Sequence, residues 1–103
     1  MQSSNRGSFR VDSMTKVAGF DQYYGAEDIP DLEIEDKNKK PKFGTWDNNM
    51  LYFYHKKINT LKEPFLTFAL TSTTHAPYVS PGKQWEKYEH DEKGISELLN
   101  TIN

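Results

Sequence analysis

Only one stretch of this sequence is apolar enough to form a buried strand. Residues Phe65 to Leu70 read FLTFAL, a near-continuous apolar run that suggests burial on both faces, as in a sheet covered by helices. One strand cannot satisfy its own backbone N–H and C=O groups, and one strand is not a sheet. Its neighbours must be weakly written segments such as FDQYYG and PDLEIED, or strands of a larger domain. The run then breaks into Thr71, Ser72, Thr73, Thr74 and His75, with a turn from Pro77 to Gly82 after it.

The chain has 103 residues, enough for one domain and one modest core. Aliphatics are sparse, but aromatics are 14%, so Phe, Tyr and Trp can build that core. A net charge of -2 argues against a dedicated nucleic-acid binder, which shows a basic excess on one face. Without cysteine, no disulfide and no thiolate metal site is possible. No apolar run approaches the roughly 20 residues that span a membrane. The N-terminal MQSSNRGSFR lacks the apolar core of a secretory signal, so the sequence reads as a soluble piece.

Residues 1–8 are small and polar and are expected to be disordered. Asp12 or Ser13 can cap a short helix through Met14, Lys16 and Val17, with Gly19 as its stop. An aromatic segment, GFDQYYG, follows as an extended piece or packed loop. Residues 26–42 form a charge block, acidic from Glu27 to Asp36 and basic from Lys37 to Lys42, and read as a surface connection. The clearest helix lies in GTWDNNMLYFYHKKINTLKEP. Thr45 or Asp47 is placed to cap it; Met50 or Leu51, Tyr54, Ile58 and Leu61 share a face, and Pro64 stops it. A last helix carries Ile95, Leu98, Leu99 and Ile102 at helical spacing with no stop signal. The lone strand and the unclosed helix together predict a segment of a larger α/β domain. The alternative is a small, self-contained α+β domain.

His75 is the strongest candidate for chemistry. It stands just past the carboxyl end of the expected strand, where open α/β sheets bind ligands. A histidine there can donate to an anionic oxygen or shuttle a proton, or simply hydrogen-bond its own loop. Thr71 to Thr74 offer hydroxyls, although such clusters usually serve as turn and cap residues. Arg6 and Arg10, the only arginines, can reach an anion or face water. His55 reads as a surface residue and His90 as solvated; the three histidines lack metal-ligand spacing. The acids from Asp28 to Glu35 lack the register of a calcium loop, and no phosphate-cradling glycine loop is present.

In order, FRVDSMTKVAGFDQYYG, FGTWDNNMLYFYHKKI and KEPFLTFALTSTTHAPYVSPG resemble the middle of the sulfatase-like phosphoglycerol transferases. That group includes the lipoteichoic acid synthases and belongs to the alkaline phosphatase superfamily. The resemblance runs from about Phe9 to the end, and KEPFLTFALTSTTHAPY is its most specific part. It implies a partial catalytic domain spanning 1–103. The fold would be a fragment of an α/β sandwich with one strong buried strand, two to three helices and long loops. It implies a parent that cleaves or transfers phosphate or sulfate esters with a divalent metal: manganese, magnesium or zinc. It also implies an extracytoplasmic domain of a membrane-anchored bacterial protein. By resemblance, His75 matches the histidine that contacts the substrate's anionic head group. Phe9 and Arg10 fall near the family's Trp and Arg contacts, with Phe in place of Trp, and Thr74 adjoins His75. The nucleophile and the metal ligands would lie outside this chain, leaving it no catalytic and no metal-binding residue. Alone it would be inactive, and its exposed strand edges would favour self-association. The competing expectation is a small protein-interaction module in which His75 is incidental.

Overall fold

A computed structural model describes residues 1–31, 41, 43–80, 82–89 and 95–102. Among the described residues three α-helices appear: α1 (Val11–Val17), α2 (Asp47–Ile58) and α3 (Ile95–Ile102). Short 3-10 turns cover Ser8–Arg10, Ala26–Asp28 and Lys83–Trp85. Most of the charge block expected over 26–42 falls outside the described residues, as does His90.

The helix ends follow local chemistry in one case and depart from it in another. Gly19 takes φ 84°, and its N–H donates to Lys16 O while the Phe20 N–H reaches Thr15 O. This is the left-handed glycine stop expected from the sequence, and it satisfies two terminal carbonyls of α1. At the start of α2, neither expected cap forms. The N-cap is Trp46, without a side-chain cap bond. The Thr45 hydroxyl instead accepts from the Asn49 side chain, and the Asp47 carboxylate turns to residues 25 and 26 positions away. A cap can be supplied from anywhere in the fold, and here the Asp47 N–H donates to Thr73 Oγ1.

The expected buried strand is not formed. Among the described residues the backbone makes a single isolated parallel bridge, Gln2 with Leu70. Leu66 is 80% exposed and Phe68 62%. Among the described residues, Phe68 and Leu70 find backbone partners along one edge and the Tyr54 hydroxyl reaches Thr67, while the Leu66 and Phe68 side chains stay exposed.

The partner along that edge is the N-terminal segment, which was expected to be disordered. The Met1 nitrogen donates to Phe68 O, Leu70 N–H to Met1 O, and Ser3 N–H to Leu70 O. On its other side Gln2 N–H reaches Tyr24 O, and Ala26 N–H reaches Ser4 O. Gln2, Ser3 and Ser4 are buried. Small polar residues carry no apolar signal, but they let three backbones approach and exchange hydrogen bonds. Their order therefore comes from pairing at long range, which composition does not display.

The apolar core of the described residues is correspondingly thin: Ile29, Trp46 and Met50. Helix α3 forms where its periodicity predicts, but with its polar stripe inward. Ser96 and Asn100 are buried while Ile95 and Leu99 are exposed. The cause is Asn100, whose Oδ1 accepts from Lys87 and Tyr88 N–H and whose Nδ2 donates to Tyr88 O.

Candidate functional site

Four pieces of chain converge beyond the carboxyl end of the Met1–Ser4 and Phe68–Leu70 pair. Thr45 N–H donates to Ser3 O at 2.8 Å, which brings the entry to α2 against that end. Gly44 makes the approach possible: it takes φ 96°, and a Cβ there would lie 2.3 Å from Ser3 O. The Ser3 and Ser72 hydroxyls meet at 2.7 Å. Asp47 then joins α2 to the hydroxyl-rich loop. Its Oδ1 accepts from Ser72 N–H at 2.8 Å and its Oδ2 from Thr73 N–H at 2.9 Å.

His75 lies on this loop, with its N–H donating to Ser72 O in a turn. The side chain is exposed, and its Nδ1 is 2.7 Å from Ala76 O. A carbonyl only accepts, so Nδ1 carries the proton in this bond, which leaves Nε2 as the ring's second nitrogen. The imidazole stands edge-on to Phe43, with ring centroids 4.9 Å apart, and Phe43 meets Phe9 at 6.2 Å. The structure therefore sets Phe9 and His75 both against Phe43. Arg10, next to Phe9, is exposed, and both residues hold left-handed backbone angles, φ 56° and 55°. Such angles are costly for residues other than glycine and tend to occur at functional sites. Thr74 is exposed beside His75.

The two arginines part company here. Arg6 pairs with Asp28 at 2.6 Å, and its backbone N–H donates to both Glu27 carboxylate oxygens. The hydrogen bond from Arg6 holds the Asp28 carboxyl below the usual carboxylate range, and the Arg6 guanidinium is raised in turn. Burial pushes the Tyr23 hydroxyl, beside this pair, upward. Arg6 is thus engaged by acids, while Arg10 is exposed next to Phe9. His55 is exposed on α2, where its Nε2 meets the Asn59 amide.

No three His, Cys, Asp or Glu side chains come together to hold a metal among the described residues. Among the described acids, Asp28 faces Arg6 and Asp47 faces backbone amides. A separate concavity of about 490 Å³ opens at the opposite, amino end of the paired segments, between Thr15, Tyr54, Ile58 and Phe65. It is lined by none of His75, Arg10 and Thr74. Two participants escaped the reading of residue types. Phe43 carries no signal beyond being aromatic, and Asp47 looks like a local cap. The one clue to the latter is the Ser72–Thr73 pair after an apolar run, which offers two successive N–H groups in need of an acceptor.

The sulfatase family model matches residues 4–101. The chain is similar to phosphoglycerol transferase I of Salmonella arizonae, with 30% identity over 98 residues, 90% of this chain and 13% of that protein. Phosphoglycerol transferase I of Salmonella paratyphi B and of Salmonella newport match to the same extent. The chain thus spans about an eighth of the length of these curated relatives, as their 13% coverage states. No solved structure matches. With the family model matching residues 4–101, nearly the whole chain, the chain belongs to the sulfatase family.

Proposed function

We propose that this chain supplies one wall of the anion-binding site of an enzyme that hydrolyses or transfers phosphate or sulfate esters. His75 contacts the anionic head group, with Arg10 and Thr74 beside it. The observation that carries this reading is the exposed His75 at the carboxyl end of the paired segments, with its Nδ1 held by Ala76 O. When protonated, Nε2 donates to an anionic oxygen and stabilises charge that develops on the transferring group. Phosphoglycerol transferase I, the name carried by the relatives, favours a phosphate ester with a glycerol-type alcohol. The sulfatase family generally uses a divalent metal, which would supply Lewis-acid activation of the nucleophile. Manganese, magnesium and zinc are the ions proposed; the nucleophile and the ligands are assigned outside this chain.

Titration of the chain with inorganic phosphate, followed by NMR of the histidine rings, tests the assignment. The His75 ring signals are expected to move saturably, and His75→Ala to remove the binding. Shifts spread over the lysines, unchanged by His75→Ala, would overturn it. The same reading places the domain outside the cytoplasm of a membrane-anchored bacterial parent, which cell fractionation checks.

Self-association belongs to this proposal as well. Phe65, Leu66 and Phe68 are exposed on one contiguous segment, which among the described residues is bonded along one edge, to Met1 and Ser3. Sedimentation velocity is expected to show a concentration-dependent rise in mass. A single monomer species at high concentration would count against it and favour a self-contained interaction module.

A further inference from the structure

We propose that Asp47 is a positioning residue for His75; the inference rests on the reading of His75 as the anion contact. Asp47 is the first residue of α2, yet its carboxylate caps nothing in that helix. Both oxygens are bound instead by successive N–H groups, Ser72 at 2.8 Å and Thr73 at 2.9 Å. Thr73 returns the bond, its hydroxyl accepting from the Asp47 N–H at 2.9 Å. Three hydrogen bonds, two of them to an ionised oxygen, thus tie the helix start to the loop. The His75 N–H closes its turn on Ser72 O, so the imidazole hangs from the clamped residues. Phe43, four residues before Asp47 on the same entry to α2, meets the ring edge at 4.9 Å. The loop that bears His75 and the aromatic that flanks its ring are therefore set by one short segment, and Asp47 is the link between them.

The clamp is selective in its chemistry. Asparagine would keep one acceptor but turn an NH2 group toward a backbone N–H, donor against donor. Glutamate would keep the negative charge that favours a helix start, but its longer arm cannot hold the same two amides. A merely helix-stabilising role is rescued by glutamate, whereas a positioning role is not.

The experiment compares wild type, Asp47→Glu and Asp47→Asn in the full 103-residue chain. Three readouts are taken below the melting transition. They are the His75 ring nitrogen shifts, the proton contacts between His75 and Phe43, and affinity for inorganic phosphate. Asp47→Glu is expected to fold, melting below wild type through the loss of its two amide bonds. It is also expected to lose the Phe43 contacts and the fixed Nδ1–H form, and to bind phosphate roughly tenfold more weakly, the scale of one charge-assisted hydrogen bond. If the folded Asp47→Glu chain keeps the His75 signals and the phosphate affinity of wild type, the inference is wrong. Should Asp47→Asn fail to fold, the glutamate variant decides alone. Should phosphate leave His75 of the wild type unmoved, the functional reading fails, and the ring shifts and Phe43 contacts still decide on Asp47.

Discussion

Gly44→Ala is expected to destabilise the chain by about 3 kcal/mol or more, combining backbone strain with overpacking. At φ 96° a side chain is strained whatever the space, and here there is none. The added Cβ would meet Ser3 O at 2.3 Å, Ala26 Cβ at 2.7 Å and Asn5 Oδ1 at 2.9 Å. Two of these atoms belong to the segments that pair through Ser4 and Ala26, so neither can give way without breaking a backbone bond. Gly19→Ala is the comparison. Its φ is 84°, but nothing lies within 4 Å, so only the conformational penalty of about 1 kcal/mol applies. Urea unfolding of the two variants separates strain from crowding. A Gly44→Ala loss no larger than that of Gly19→Ala would show that Ser3 and Ala26 are not packed as described. Because Ser3 also anchors Ser72, the Gly44 variant is expected to disturb the His75 loop as well.

Trp46→Ala is expected to cost about 3–5 kcal/mol, the usual range for removing a buried tryptophan. Trp46 is 3% exposed and is one of three buried apolar side chains among the described residues, with Ile29 and Met50. It is also the N-cap of α2, and its carbonyl accepts from the Met50 N–H. In so thin a core there is little material to collapse into the void, so the cavity term persists. Denaturation followed by far-ultraviolet circular dichroism measures the loss. A change under about 1 kcal/mol would mean that Trp46 is not a core residue, since surface substitutions stay within that scale.

Membership of the sulfatase family implies the alkaline phosphatase-like α/β fold, in agreement with the α/β class expected from the chain. Within that class the sequence was legible where the governing forces are local. Gly19 ends α1 because only glycine adopts its backbone angle without penalty. Helix α2 and helix α3 lie where apolar residues recur at helical spacing, although α2 ends at Ile58, before the expected Leu61 and Pro64. His75 could be singled out as an exposed polar residue after an apolar run, and it does lie at that end of the paired segments. The failures have one cause in common. A strand is a relation between segments, so FLTFAL could state its preference but not supply its neighbours. Met1 to Ser4 had no apolar pattern to show, yet Gln2 and Ser3 are fully buried by backbone pairing. Asn100 turned α3 polar-side inward through three hydrogen bonds to residues that sequence alone does not place near it.

By itself, then, the sequence determined the helical segments, the glycine stop, the absence of thiol chemistry and the residue with most chemical promise. Tertiary structure alone decided which face of each element is covered. It also decided that Arg6 is engaged by Asp28 while Arg10 is not, and that Asp47 serves the His75 loop rather than its own helix. The reason is physical: propensity and periodicity act over a few residues. A carboxylate or an amide accepts whichever partner the folded chain brings within about 3 Å, however distant in sequence.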